Sequence, residues 1–222
     1  MDSLLELKQR AIYDPNLVFY ADLSKHDGPT FESDDAFGHT LTVTGATWGI
    51  QGRLFDGLDD FISAGDQVAF RDLPVFTWSV WIKPTNFTVA RYPLAKRHYK
   101  NLYLATSGAV WVHIEAGNGN QSQSSNILSA DKWVFLSFTY NDNGDRLIRI
   151  YIDNAEVAYS AQVAVTGAVV AETGAAAAFI IGAYSATETF FLGEIGETFI
   201  HRRVLTPLEI QHLYLSTRWK YQ

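Results

Sequence analysis

Residues Phe76–Pro84 read FTWSVWIKP. Phe76, Trp78, Val80 and Ile82 alternate with Thr77, Ser79, Trp81 and Lys83, which is the period-2 pattern of a β-strand with one face in a core. Such a strand needs a second sheet to cover its apolar face. Trp81 breaks the pattern, because it puts a large ring on the face expected to be wet. That ring calls for a ligand, a covering segment or a partner.

The rest of the chain has the material for a second sheet. It holds 222 residues, 47% hydrophobic and 14% aromatic, enough for one sizeable core. A sandwich of this length is commonly one domain, here residues 16–222 after an N-terminal segment, 1–15. The net charge is -7 and the pI near 5.3. An acidic chain without a basic cluster argues against nucleic acid, whose phosphates are met by Lys and Arg. The absence of cysteine removes disulfides, thiolate metal sites and cysteine nucleophiles together.

Met1–Tyr13 carries Glu6 and Lys8 where a secretory signal would be apolar, so it reads as a short amphipathic helix with Leu4, Leu7 and Ala11 on one side. Ala161–Tyr184 is the one stretch apolar enough to suggest a membrane span. Glu172 at its centre would cost about 2.5 to 3.5 kcal/mol there, so no span is expected.

Strands are expected at Leu17–Leu23, Thr40–Val43, Phe61–Ile62, Trp133–Tyr140, Leu147–Ile152, Phe179–Gly182 and Glu194–His201. Asn101–Gly119 reads as a hairpin turning at Ser107-Gly108, with Val110, Val112 and Ile114 alternating with Trp111, His113 and Glu115. Gly117–Ser125 is polar throughout and reads as a loop. Thr206, Pro207 and Glu209 form the start signal of a C-terminal helix, a capping box with proline at the first position. Many short strands, glycine-rich turns and no long internal helix define an all-β antiparallel sandwich.

Several of these landmarks occur in a recognisable order: Leu17–Leu23, FDGLDDFI (Phe55–Ile62), FTWSVWIKP, Lys132–Tyr140, Arg149–Asn154 and GEIGETFIHRRVLTPLEIQHLY (Gly193–Tyr214). In this the chain resembles the laminin-G-like jelly-roll domains of the concanavalin A-like lectin/glucanase superfamily. The resemblance implies a jelly roll with a ligand-binding sheet and, in some relatives, a structural calcium. Where many relatives carry an aspartate that helps hold calcium in the strand before the terminal helix, this chain has Gly196. Asp35 and the Gly57 carbonyl remain as the positions for a calcium ion, few for a cation that wants six or more oxygens.

No strand carries the paired carboxylates that a retaining glycosidase holds about 5 to 5.5 Å apart. Asp59 and Asp60 are adjacent, so on a strand they would face opposite ways, and Glu115 stands alone. The six histidines form no metal-ligand pair, and no nucleophile elbow or phosphate loop is present. Aromatics are more informative. Trp81, Tyr103 and Trp111 with His113 form the expected ligand surface, because sugar rings stack their C–H faces on aromatics. Glu115, Arg97 and Lys83 are the polar neighbours for hydroxyls. Phe190-Phe191-Leu192 reads as loop packing, and Asn86-Phe87-Thr88 and Asn120-Gln121-Ser122 match the N-glycosylation pattern.

The expected function is a non-catalytic binding module recognising a glycan or another surface ligand, extracellular or at a cell surface. The alternative is a viral or phage virion protein for assembly or host adhesion, oligomerising through Met1–Tyr13. A glycoside hydrolase or lyase ranks behind both.

Overall fold

The computed structural model of the chain describes residues 14–118, 120–173 and 178–222. The amphipathic helix expected at Met1–Tyr13 lies outside the described residues. Two antiparallel sheets make the body. The first has the order Ala155–Glu156, Arg149–Ile152, Val134–Asn141, Val75–Pro84, Leu192–His201, Gly52–Asp56, Thr47–Gly49, and Leu17–Asp22 also pairs with Leu192–His201. The second has the order Tyr159–Gln162, Gln121–Ile127, Ala109–Ile114, Lys100–Leu104, Arg91–Lys96, Phe179–Ile181, Phe61–Gly65, Thr40–Thr44, Thr30–Glu32. No helix among the described residues is long and apolar enough to cross a membrane.

The central strand behaves as its alternation requires. Phe76, Trp78, Val80 and Ile82 enter a core shared with Leu102, Leu104, Val110, Val112, Ile114 and Phe179 of the other sheet. Trp78 meets Phe138 of its own sheet at 5.3 Å and Phe179 of the facing sheet edge-on at 5.2 Å. Each such large side chain, fully buried, contributes about 1.5 to 3 kcal/mol.

Trp81 is not on an open surface, and this corrects the expectation that it faces ligand. It is 3% exposed, inside a second cluster with Tyr20, Phe135, Phe199, Ile210, Leu213 and Tyr221. The cover is the C-terminal helix, Pro207–Thr217, started by the expected capping box between Thr206 and Glu209. Trp81 stacks on Tyr221 at 4.4 Å and on Tyr214 at 5.5 Å, and its Nε1 donates to Thr217 Oγ1 at 2.8 Å.

The last residues are fastened to both the first and the last strand. Lys220 Nζ donates to Glu197 Oε1 at 2.8 Å and also pairs with Asp22. Tyr20 Oη donates to the same Glu197 oxygen at 2.7 Å, and the Glu197 amide donates to Tyr221 Oη at 2.8 Å. Burial raises the Glu197 carboxyl while Lys220 draws it down, and the net direction is upward. Gly196 is explained here, since a Cβ at that position would lie 2.4 Å from Tyr221 Oη.

One further stretch departs from expectation. Gln121–Ile127, within and beyond the expected loop, is a strand. Its inward positions are serines: Ser122 donates to the Ile148 carbonyl at 2.8 Å and Ser124 to that of Asn126 at 2.7 Å, so buried hydroxyls are bonded rather than apolar. Glu172, at the centre of the Ala-rich stretch, is fully buried and pairs with both Lys96 and Lys100. The two lysines also lie over the rings of Phe70 and Phe76, at 5.6 and 4.8 Å.

Candidate functional site

The outer face of the nine-stranded sheet carries the other three expected ligand residues. Val110, Val112 and Ile114 are buried, so Trp111 and His113 point outward from the same strand. The register sets Trp111 opposite Tyr103 and His113 opposite Asn101. Tyr103 and Trp111 lie 5.5 Å apart. The row continues through residues that sequence reading missed: Tyr92 stacks on Tyr103 at 5.1 Å, and Tyr184 lies 4.9 Å from Tyr92. Tyr184 Oη is 2.9 Å from His98 Nδ1, which fixes the ring at the end of the row.

A cleft of about 220 Å³ opens among Tyr92, His98, Asn101, Tyr103, His113, Glu115, Gln121 and Tyr184. Its lining combines aromatic rings with polar groups, the pairing that suits a ring with one apolar face and peripheral hydroxyls. His113 Nε2 lies 3.5 Å from Glu115 Oε2. Burial lowers the imidazole below its ordinary range more than Glu115 raises it, so His113 is neutral near pH 7. Burial raises the Tyr103 phenol, which therefore stays protonated as a hydrogen-bond donor. Asn101 Oδ1 and Trp111 Nε1 are buried without a hydrogen-bond partner among the described residues. Buried polar atoms are nearly always bonded, so Asn101, which lines the cleft, offers it an unsatisfied acceptor, while Trp111 is not among the lining residues.

The polar neighbours divide. Glu115 lines the cleft, whereas Lys83 belongs to the other sheet and pairs with Glu194 at 2.9 Å. Phe191 is fully buried in the main core, in keeping with loop packing.

The two calcium positions do not form one site. Asp35 accepts the amides of Tyr20 and Phe37 at 2.9 and 2.8 Å, one on each oxygen. The Gly57 carbonyl faces the Arg91 guanidinium at 3.4 Å, a poor place for a cation. Tyr20 pairs with Phe199, while a Cβ on Gly57 would touch Leu192 at the far end of the same strand. At about 3.3 Å per residue the two are on the order of 20 Å apart. The residues named for calcium therefore do not fit one ion. Asp56, Asp59 and Asp60 place carboxylate oxygens within 4.8 Å of one another. Asp56 and Asp60 are engaged in their own turn, Asp56 Oδ1 accepting the Leu58 amide and Asp60 Oδ2 the Asp56 amide, each at 2.8 Å.

The fold and the laminin-G pattern agree with comparisons to known proteins. The laminin-G-type model of the concanavalin A-like lectin/glucanases superfamily matches residues 56–211, and the chain belongs to that superfamily. No curated protein sequence matches the chain. Among solved structures, the Trypanosoma rangeli sialidase superposes with a TM-score of 0.71 at 16% identity, over 94% of this chain and 34% of the sialidase. Domain 4 of AbnA, a GH43 extracellular arabinanase from Geobacillus stearothermophilus solved with arabinotriose, gives 0.65 at 19% identity, over 90% of this chain and 98% of that domain. The binding domain of botulinum neurotoxin DC in complex with SialylT gives 0.67 at 11% identity, over 92% and 52%. The chain thus spans about a third of the length of the sialidase it matches, 34%. At these identities the likeness is one of fold.

Proposed function

We propose that this chain is a non-catalytic glycan-binding module that seats a sugar ring on the outer face of its nine-stranded sheet. The observation that carries the reading is the row Tyr184, Tyr92, Tyr103 and Trp111, with ring centroids 4.9 to 5.5 Å apart, at a cleft that polar side chains also line. The ring stacks on Tyr92 and Tyr103, and Asn101, His113, Glu115 and Gln121 take hydroxyls. Solved neighbours bound to arabinotriose and to SialylT support a saccharide as the ligand class. Glu115 is the single carboxylate among the residues lining the cleft, which supports binding over two-carboxylate hydrolysis. An extracellular or cell-surface setting follows from that role.

The test is a glycan array with the wild type, Tyr92→Ala and Tyr103→Ala. Stacking a sugar on an aromatic contributes on the order of 1 kcal/mol or more, so each variant is expected to lose about tenfold in affinity while melting cooperatively. A folded wild type that binds no glycan, or variants that bind as well as it does, would refute the reading. Release of reducing ends from a bound polysaccharide would replace the module with an enzyme.

A further inference from the structure

Tyr184, the last ring of the row, also lines a second cleft of about 230 Å³, together with Ser63, Arg97, Ile180, Ser185 and Thr187 among others. The two clefts share Tyr184 and differ in charge. Glu115 lines the first and Arg97 the second, and no other charged side chain lines either one among the described residues. Tyr184 lies between them electrically as well: burial raises its phenol, Arg97 pulls it down, and Glu188 and Glu115 push it up.

Arg97 occupies an unusual place. It sits at the tip of the tight turn closed by the Tyr99 amide on the Lys96 carbonyl at 2.8 Å, with φ at 35°. That region favours glycine, and an arginine there is strained. Strained non-glycine residues cluster where a side chain is needed for function. The guanidinium is also incompletely satisfied. Its Nη2 has one exposed partner, Glu188 at 3.2 Å, and its Nε is buried with none among the described residues. An exposed single-contact pair of this kind is weak and exchangeable. A planar guanidinium prefers a two-oxygen anion.

We propose that the ligand is an acidic oligosaccharide of at least two rings. One ring stacks on Tyr103 in the first cleft, the chain crosses Tyr184, and an anionic group on the next ring meets Arg97. This rests on the glycan-binding reading above and adds the length and charge of the glycan. A carboxylate and a sulfate ester would both satisfy the chemistry, and both displace Glu188.

The experiment is calorimetric titration with matched di- and trisaccharides: neutral, carrying a uronic carboxylate, and carrying a sulfate ester. The wild type is expected to bind one or both acidic series about tenfold more tightly than the neutral one, with the advantage shrinking as salt rises. Arg97→Gly is expected to bring acidic chains down to the affinity of neutral ones while holding or raising the melting temperature, because glycine relieves the turn. A merely structural arginine would not give that combination. Glu188→Gln is expected to strengthen acidic binding. Equal affinity for neutral and acidic chains would overturn the inference and leave the glycan-binding reading standing, as would an acidic preference that survives in Arg97→Gly. Binding of no saccharide at all would overturn both.

Discussion

The two sheets turn comparable aromatic rows outward, and the rows have opposite fates. On the eight-stranded sheet Trp81, Phe135, Tyr20 and Phe199 are roofed by the C-terminal helix and become a second core. On the nine-stranded sheet Tyr92, Tyr103 and Trp111, with Tyr184 of the adjoining two-stranded sheet beside them, remain half-buried, and all but Trp111 line an open cleft. Alternation within a strand determines which residues leave the main core. What happens to them next depends on a segment far away in sequence. Trp81 is held by residues as remote as Thr217 and Tyr221, whereas the rings around Tyr103 are held mostly by one another.

If the contrast is right, truncation on the covered face costs stability and truncation on the open face costs binding. Trp81→Ala should show the largest loss, about 3 to 5 kcal/mol in a denaturant titration; a loss below about 1 kcal/mol would mean that the helix is not a real cover. Acid should also act mainly through the covered face. His201 lies there, 3% exposed, and burial pushes its pKa from 6.5 down to about 4. A depressed folded pKa stabilises above the unfolded value and that stability is lost as pH falls. His201 should therefore contribute about 3 kcal/mol above pH 6.5 that disappears by about pH 4, and His201→Gln should flatten this slope. Thr206→Ala removes the helix cap and should cost about 1 kcal/mol, with Trp81 fluorescence shifting to the red as the cover frays. Tyr103→Ala should change stability least, by less than about 1 kcal/mol, and saccharide affinity most.

How much of this was readable in the residues depends on which interactions are local. The core face of Phe76–Ile82, the hairpin bearing Trp111 and His113, and the Thr206–Glu209 cap were legible, because alternation and capping act within a few positions. Trp81 was not, because its cover is made by a helix more than a hundred residues later. Gln121–Ile127 was missed because its inward residues are serines, and only the tertiary fold shows the Ile148 carbonyl awaiting Ser122. Tyr92 was missed because Pro93 follows it. Proline is poorly tolerated in a strand interior except at irregularities, and the pairing with Lys100–Leu104 shifts register between Arg91 and Leu94. Gly196 was noticed as a departure, and its physical reason is the Tyr221 hydroxyl against it.

The strand Leu192–His201 has partners on both sides, Val75–Pro84 on one and Gly52–Asp56 and Leu17–Asp22 on the other. It is the last strand in the chain and sits in the interior of the sheet. During synthesis, the edges it will join wait with open hydrogen-bonding groups until residue 201 has emerged. Closing them requires contacts of large sequence separation, which fold slowly. Until the strand arrives, the central tryptophan-bearing strand presents an unpaired edge of the kind that invites association with other chains. The time of greatest vulnerability to aggregation is thus set by the position of a single strand in the gene order, and it ends when Lys220 reaches Asp22 and Glu197.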